Sequence, residues 1–319
     1  MTQTDENVEP GQARPDPVKA VPVRHPGRWV AVAVLAVVTA MFVHMLVTND
    51  AFQWSFLIDN AFRPPVIEGV RTTVVLTVLA MLIGIALGIV FAMMRLSPNP
   101  VLRGAAWLYT WFFRAVPRLV LAILFGNMAI LYQTVRFGFP FDQQIADLLG
   151  VDINGTIFSI DARTFLSGFM AGLLALALSE GAYMAEIVRA GIMSVNPGQN
   201  EAAQALGMSR MQTMRRIVLP QAMRVIIPPT GNETIAMLKD TSLVAFVPVT
   251  NELFFQLRAI GSRTFQVFPM LVAACVWYLI LTSVLLVGQY FIERYFARGT
   301  ASARAGIRLR ALGGAGGEH

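Results

Sequence analysis

Glu201-Ala-Ala-Gln-Ala-Leu-Gly-Met-Ser-Arg-Met-Gln-Thr-Met-Arg-Arg-Ile-Val-Leu-Pro220 is a polar, basic stretch in an otherwise apolar chain. Glu201 to Leu206 consists of helix-forming residues, and Gly207 supplies the backbone freedom for a turn. Ser209 is a residue of the N-cap type, and beyond it Met211, Met214, Ile217 and Val218 share one helical face. Pro220 is expected to end or redirect that second helix. The stretch therefore reads as two short helices broken at a glycine, too polar to cross lipid. Arg210, Arg215 and Arg216 suit acidic groups on a partner protein or lipid phosphate equally well. An amphipathic loop lying on a membrane surface would share the pattern.

The surroundings are those of a membrane protein. Of 319 residues, 55% are hydrophobic and 14% charged, against about 25% charged in soluble domains. The single cysteine, Cys275, excludes an internal disulfide framework. His25, His44 and His319 are scattered and suggest no metal site. The net charge of +6 does not point to nucleic acid, because the arginines flank apolar runs and form no continuous basic face. No phosphate-cradling G-x-x-x-x-G-K-[ST] run is present, so any ATP must be bound by another chain. No catalytic residues are expected.

Residues 1–28, rich in Pro, Glu, Asp and Gln, read as a disordered tail. Residues 29–47 form an apolar run close to the ~20 residues a crossing needs, and no small-residue cleavage site follows it, so it reads as a retained span. The second span covers Val66 to Met94, where Ala80, Gly84, Gly88 and Ala92 make a small-residue stripe for close helix packing. A third runs from about Ala105 to Gln133, with Arg114, Pro117 and Arg118 near its start. Phe137 to Arg163 is a polar connection with Asp142, Asp147, Asp152, Asp161 and a chance-level Asn154-Gly-Thr156 sequon. The fourth span, about Phe165 to Met193, holds Glu180 and Glu186, with Gly168 and Gly172 spaced for close packing.

Gln221 to Val249 contains Pro228-Pro229, Glu233, Lys239 and Asp240, and hydropathy alone rejects it. It can span only with its polar face buried in protein or lining a wet cavity. The last span is about Phe268 to Phe291. Charge bias requires the doubtful segment to cross. Arg14, Lys19, Arg24, Arg28, Arg95, Arg103, Arg189 to Arg224 and Arg294 to Arg310 then share one side. The other side keeps Arg63, Arg136, Arg163, Arg258, Arg263 and the acidic connection. The expectation is an all-α integral membrane protein with about six helices, both termini and the polar loop on the cytoplasmic side.

With these residues in view, Glu201-Ala-Ala203, Gly207, Ile217 and Leu219-Pro220 resemble, at their fixed spacing, the EAA loop of ABC-importer permeases. The resemblance extends over roughly Ile67 to Tyr290 to the polar amino acid branch, the histidine/glutamine/arginine/glutamate-type permeases. It is carried by Glu68-Gly-Val-Arg-Thr-Thr73, Tyr109-Thr-Trp-Phe-Phe-Arg-Ala-Val-Pro117, Gly181-Ala-Tyr-Met-Ala-Glu-Ile-Val-Arg189, Gly198-Gln199, Pro220-Gln221, Pro228-Pro229 and Leu238-Lys-Asp-Thr-Ser-Leu243. It implies a type I ABC-importer transmembrane domain over residues 66–292, with the coupling loop at 194–220 and a cytoplasmic tail at 293–319. Residues 29–47 would be an extra N-terminal helix, since members of the branch start with the N-terminus outside. The implied setting is a bacterial inner membrane. The implied partners are ABC ATPase subunits, a second permease chain, an extracytoplasmic amino-acid-binding protein and membrane lipid, with ATP and Mg on the ATPase and no cofactor here. Two departures stand out: Arg118 where the family continues with apolar residues, and a longer acidic connection.

Within this resemblance, Glu201, Ala202, Ala203, Gly207 and Arg210 are the expected ATPase-coupling residues. A side chain at Gly207 would strain the turn and wedge the interface. Glu180, Tyr183, Lys239, Asp240, Thr241 and Ser242 are the expected substrate pathway. Glu180 in mid-span suits either a substrate ammonium or guanidinium, or a hydrogen bond between helices. Glu186 is expected to pair with Arg189. Glu233, Met237 and Asp240 fall on one helical face, with Lys239 turned away from it. Lys239 suits a substrate carboxylate, or, the favoured reading, an ion pair with a neighbouring acid. Thr241 and Ser242 can donate hydrogen bonds to substrate. Arg114 and Arg118 are expected to snorkel at the cytoplasmic interface. An ion- or proton-coupled secondary amino-acid transporter, with Glu180 and Asp240 as relay, is the alternative, but it leaves the EAA loop unexplained and no internal repeat supports it.

Overall fold

The computed structural model describes residues 26–131, 134–138, 148, 155–161, 168–247 and 249–297. Asp142, Asp147, Asp152, Asn154 and Arg163 lie outside the described residues, as do 1–25 and 298–319. The chain divides after Asp50 into two units. The first contains helix α1, Pro26–Thr48. Its 23 residues are apolar on every side and exposed, and at 1.5 Å per residue they reach about 34 Å, enough for the hydrocarbon core.

The second unit begins with α2, Trp54–Ala61, and α3, Pro64–Leu96, whose paired prolines occupy the first turn, where no N–H is missed. Then come α4, Pro100–Ala115, and α5, Arg118–Leu131. Here the expected third span is corrected. It is not one straight helix from Ala105 to Gln133 but two segments bent by 103°, because Pro117 cannot donate to the preceding turn. Strands β1, Thr134–Gly138, and β2, Thr156–Asp161, pair antiparallel, β1 running into the start of the expected polar connection and β2 lying within it, a small strand pair among otherwise mostly helical described residues.

Helix α6 is Gly168–Met193, and α7, Pro197–Ala205, and α8, Arg210–Thr213, form the loop. A π-helical turn, Met214–Val218, joins α8 to α9, Leu219–Asp240. Pro220 therefore does not end the helix as expected. The wider turn just ahead of it absorbs the missing backbone donor, and helical structure runs on from Arg210 to Asp240. A 3-10 turn, Thr241–Phe246, leads to α10, Leu253–Thr264, and α11, Val267–Ala297, closes the described chain. Among the described residues, α1, α3, α6 and α11 can cross a membrane by length and composition, and the α4–α5 pair adds a fifth crossing if its two bent segments count as one span. Helix α9 has the length, at 22 residues, but carries the charges noted above.

The centre of the unit is the contact between α3 and α6. Ala80, Gly84, Gly88 and Ala92 are all buried, as the small-residue stripe predicts. A Cβ added at Gly84 would lie 2.6 Å from Glu180 Cγ, and one at Gly88 would overlap Met184 Cβ. Only hydrogen at these positions lets the two backbones approach. Around this seam lies a core of Leu76, Leu121, Leu173, Leu176, Met237 and Val244, and a second cluster under the loop contains Met184, Val188, Val218, Ala222 and Ile226.

At the opposite end, a residue that the sequence left unremarked ties three elements together. Glu252 is fully buried. One carboxylate oxygen accepts from Thr73 Oγ1 on α3 at 3.0 Å and from the Tyr278 hydroxyl on α11 at 2.6 Å. The other caps α10 by accepting from the backbone N–H of Phe254 and Phe255 at 2.8 and 3.2 Å. Burial pushes the carboxyl above its usual range, against hydrogen bonds that favour the charged form.

Glu252→Ala leaves these donors without an acceptor and is expected to cost about 3 kcal/mol; Glu252→Gln, which keeps one acceptor oxygen, loses less. Gly88→Val is expected to destabilise the α3–α6 seam by about 1–3 kcal/mol or to prevent folding. Thermal unfolding of the detergent-solubilised chain measures all three.

Candidate functional site: a coupling loop and a buried charge cluster

The loop is built from local signals. The Asn196 side chain accepts from the Gly198 N–H at 2.9 Å and Pro197 fills the first helical position, so α7 starts there. The helix ends where the Gly207 N–H donates to the Gln204 carbonyl at 2.9 Å and Gly207 takes a φ of 74°, a backbone state open to glycine and strained for other residues. Ser209 then caps α8 reciprocally: Gln212 N–H donates to Ser209 Oγ and Ser209 N–H donates to Gln212 Oε1.

Glu201, Ala202, Gly207 and Arg210 are exposed, and so are Arg215 and Arg216. Leu206 and Met211 stand 81% and 67% exposed, an apolar tip among charges. Ala203 differs from its four companions. It is buried, so its small side chain seats α7 against the body and is not on the outer face. Val218 also turns inward, and Met214 packs on the cluster beneath, whereas Met211 leaves the face that the sequence pattern assigned to it. No side chain crowds Gly207, so the constraint there is backbone strain.

The second constellation lies in the middle of the unit. Arg118 opens α5 immediately after Pro117, and the bend aims its side chain inward. Its guanidinium bonds to Glu180 of α6 at 3.0 Å and to Glu233 of α9 at 3.4 Å, and more closely still to Asp240 of α9. The Arg118 side chain is only 12% exposed, and Glu180 is sealed. This corrects the expectation that Arg118 snorkels to an interface. Three carboxylates in reach outweigh the solvation available at a membrane surface.

Tyr183 lies with its ring 4.8 Å from the Arg118 guanidinium carbon and 5.5 Å from that of Arg114. It also lines a cavity of about 520 Å³ with Arg95, Trp107, Trp111, Arg114 and Glu186. Glu186 pairs with Arg189 at 2.7 Å, as expected, and with Arg95 at 3.4 Å.

Lys239 is the clearest departure on α9. It is exposed and makes no ion pair among the described residues, so the favoured pairing with a neighbouring acid is not found. The hydroxyls of Thr241 and Ser242 are taken up within their own chain segment. Their hydroxyls donate to the Leu238 and Lys239 carbonyls, both at 2.7 Å, and close the end of α9. Of the six expected pathway residues, Glu180, Asp240 and Tyr183 meet around Arg118, and Glu233 joins them.

Residues 84–297 match a protein family described as binding-protein-dependent transport system inner membrane component. The chain is 43% identical over 312 residues to the arginine transport system permease protein ArgU of Corynebacterium glutamicum, covering 97% of this chain and 93% of that one. It is 33% identical over 252 residues to the probable amino-acid ABC transporter permease protein YckA of Bacillus subtilis, covering 78% and 98%. A solved crystal structure of an amino acid ABC transporter with histidines superposes with a TM-score of 0.57 at 32% identity, over 73% of this chain and 94% of that one. The fold is that of a type I ABC-importer transmembrane domain. This chain belongs to the family of binding-protein-dependent transport system inner membrane components.

Proposed function

We propose that this chain is the permease subunit of an ATP-driven importer for amino acids with cationic side chains. The observation that carries the coupling is the loop: an exposed pair of short helices, pinned by Gly207, with an apolar tip at Leu206 and Met211 between charges. Such a knob fits a groove on a separate ATPase, which would bind ATP and Mg. The helical run from Arg210 to Asp240 would carry the movement of that knob to the charge cluster.

Support for a cationic substrate comes from charge. Three carboxyl groups, those of Glu180, Glu233 and Asp240, face one guanidinium, a set that suits a cationic group where the helices meet. The relative named as an arginine permease points the same way. Relatives named as ABC permeases also favour this reading over a secondary transporter relaying protons through Glu180 and Asp240.

A second permease chain, identical or homologous, would complete the pathway, and an extracytoplasmic amino-acid-binding protein would deliver substrate to it. The chain would lie in the bacterial inner membrane, with both termini and the loop in the cytoplasm. That orientation is the one that gathers the basic residues inside.

Purification of the tagged chain from its own membranes in mild detergent is expected to bring down an ATPase and a binding protein, identified by mass spectrometry. Recovery of the chain alone, under conditions that preserve known complexes, would sink the assignment. Gly207→Asp places a non-glycine at φ 74° and a charge at the tip of the loop. It is expected to reduce arginine and lysine uptake at least about tenfold, equivalent to roughly 1.4 kcal/mol, while leaving the chain inserted. Normal uptake in that variant would count against the coupling role.

A further inference from the structure

The charge cluster holds more than a pathway needs. Arg118 carries the same chemical group as an arginine side chain, and it already sits among the three carboxylates that would receive such a group. We propose that Arg118 is a built-in competitor for the place formed by Glu180, Glu233 and Asp240, so that a substrate guanidinium or ammonium group enters by displacing it. This rests on the reading of the chain as a permease for cationic amino acids, and it assigns a specificity-determining residue within that reading.

The geometry meets the requirements for exchange. Removing Arg118 with nothing in its place would leave three carboxylates clustered together, which is costly in a membrane protein interior. A substrate cation arriving as Arg118 leaves keeps the cluster paired throughout. The cluster also has an approach side and a closed side in this chain: Glu233 and Asp240 are 25% and 32% exposed, whereas Glu180 is sealed. Glu180 Oε1 is buried and accepts no hydrogen bond from the described residues, so an acceptor remains for an incoming N–H.

The displaced guanidinium can shift along the Tyr183 ring that it already lies over, towards the neighbouring 520 Å³ cavity, where Glu186 offers a carboxylate alongside Arg95 and Arg114. Finally, Arg118 is the first residue of α5, directly after the 103° bend. A change of bend angle at Pro117 can withdraw its side chain without breaking the internal hydrogen bonds of either helix.

Binding of radiolabelled L-arginine to the complex purified around this chain, in nanodiscs without the binding protein, tests the proposal. A competitor that fills the site most of the time weakens apparent affinity by the fraction of time the site is free. Arg118→Ala is therefore expected to tighten arginine binding by about tenfold or more. Arg118→Lys keeps the charge but loses the planar fork, and is expected to tighten it by a smaller factor. Adding Glu180→Gln to either variant should weaken binding again.

Should Arg118→Ala fail to assemble, Arg118→Lys decides, because it keeps the cluster charge. Unchanged or weaker binding in a monodisperse Arg118 variant overturns the proposal, since a purely structural ion pair gives no gain in affinity on removal. Absence of arginine binding in the unmodified chain and in both variants overturns it too. In that case arginine uptake by cells carrying the unmodified chain judges the wider reading separately: uptake leaves that reading standing, and no uptake removes both.

Discussion

One largely buried guanidinium ties together the helices at the centre of the second unit. Arg118 draws on three helices at once, α5 that carries it, α6 through Glu180 and α9 through Glu233 and Asp240. Charges in such a place are costly unless paired, so each element is constrained by the others. Glu180 can reach this position only because Gly84 has no side chain, and Gly84 lies in the seam that brings α3 against α6. The close packing of glycines and the pairing of charges are thus one arrangement: without the first, the second would have no room.

The same helix that supplies two of the carboxylates leads directly into the loop. From Ser209 the chain winds through α8, a π turn and α9 without a break, so the exposed knob and the cluster share one mechanical element. The π turn is what makes this possible, since a proline at position 220 would otherwise interrupt the helix. Ala203, Val218 and Ala222 bury the inner side of this element, while Leu206, Met211 and the arginines remain outside. Force applied at the knob can therefore reach the charges, as the proposed coupling to a separate ATPase requires.

Part of the loop was legible in advance because its signals are local. Gly207 and Ser209 act within a few residues of themselves, through one left-handed backbone angle and a cap, whereas the Asn196-Pro197 start and the Gln212 half of that cap emerged only with the structure. The small-residue stripe of α3 was legible for the same reason, its spacing matching the helical repeat. Arg118 was misplaced because linear distance from basic flanks suggested an interface, while the bend at Pro117 redirected it inward. Glu252 passed unnoticed because Thr73 and Tyr278, its partners, lie far off in sequence; the only local hint was an acid just ahead of Leu253-Phe-Phe255, the position of a helix cap.

The amino-acid sequence by itself determined that this is an apolar, helical membrane chain with a polar two-helix loop, because hydropathy, capping and glycine placement are written at short range. The tertiary structure alone decided which charges meet. Arg118, Glu180, Glu233 and Asp240 are spread over more than a hundred positions and have no common periodicity. Only the folding of three helices around a glycine seam brings their charges within bonding distance, and Coulomb attraction at that distance then selects Arg118, and not Lys239, as the cation they share.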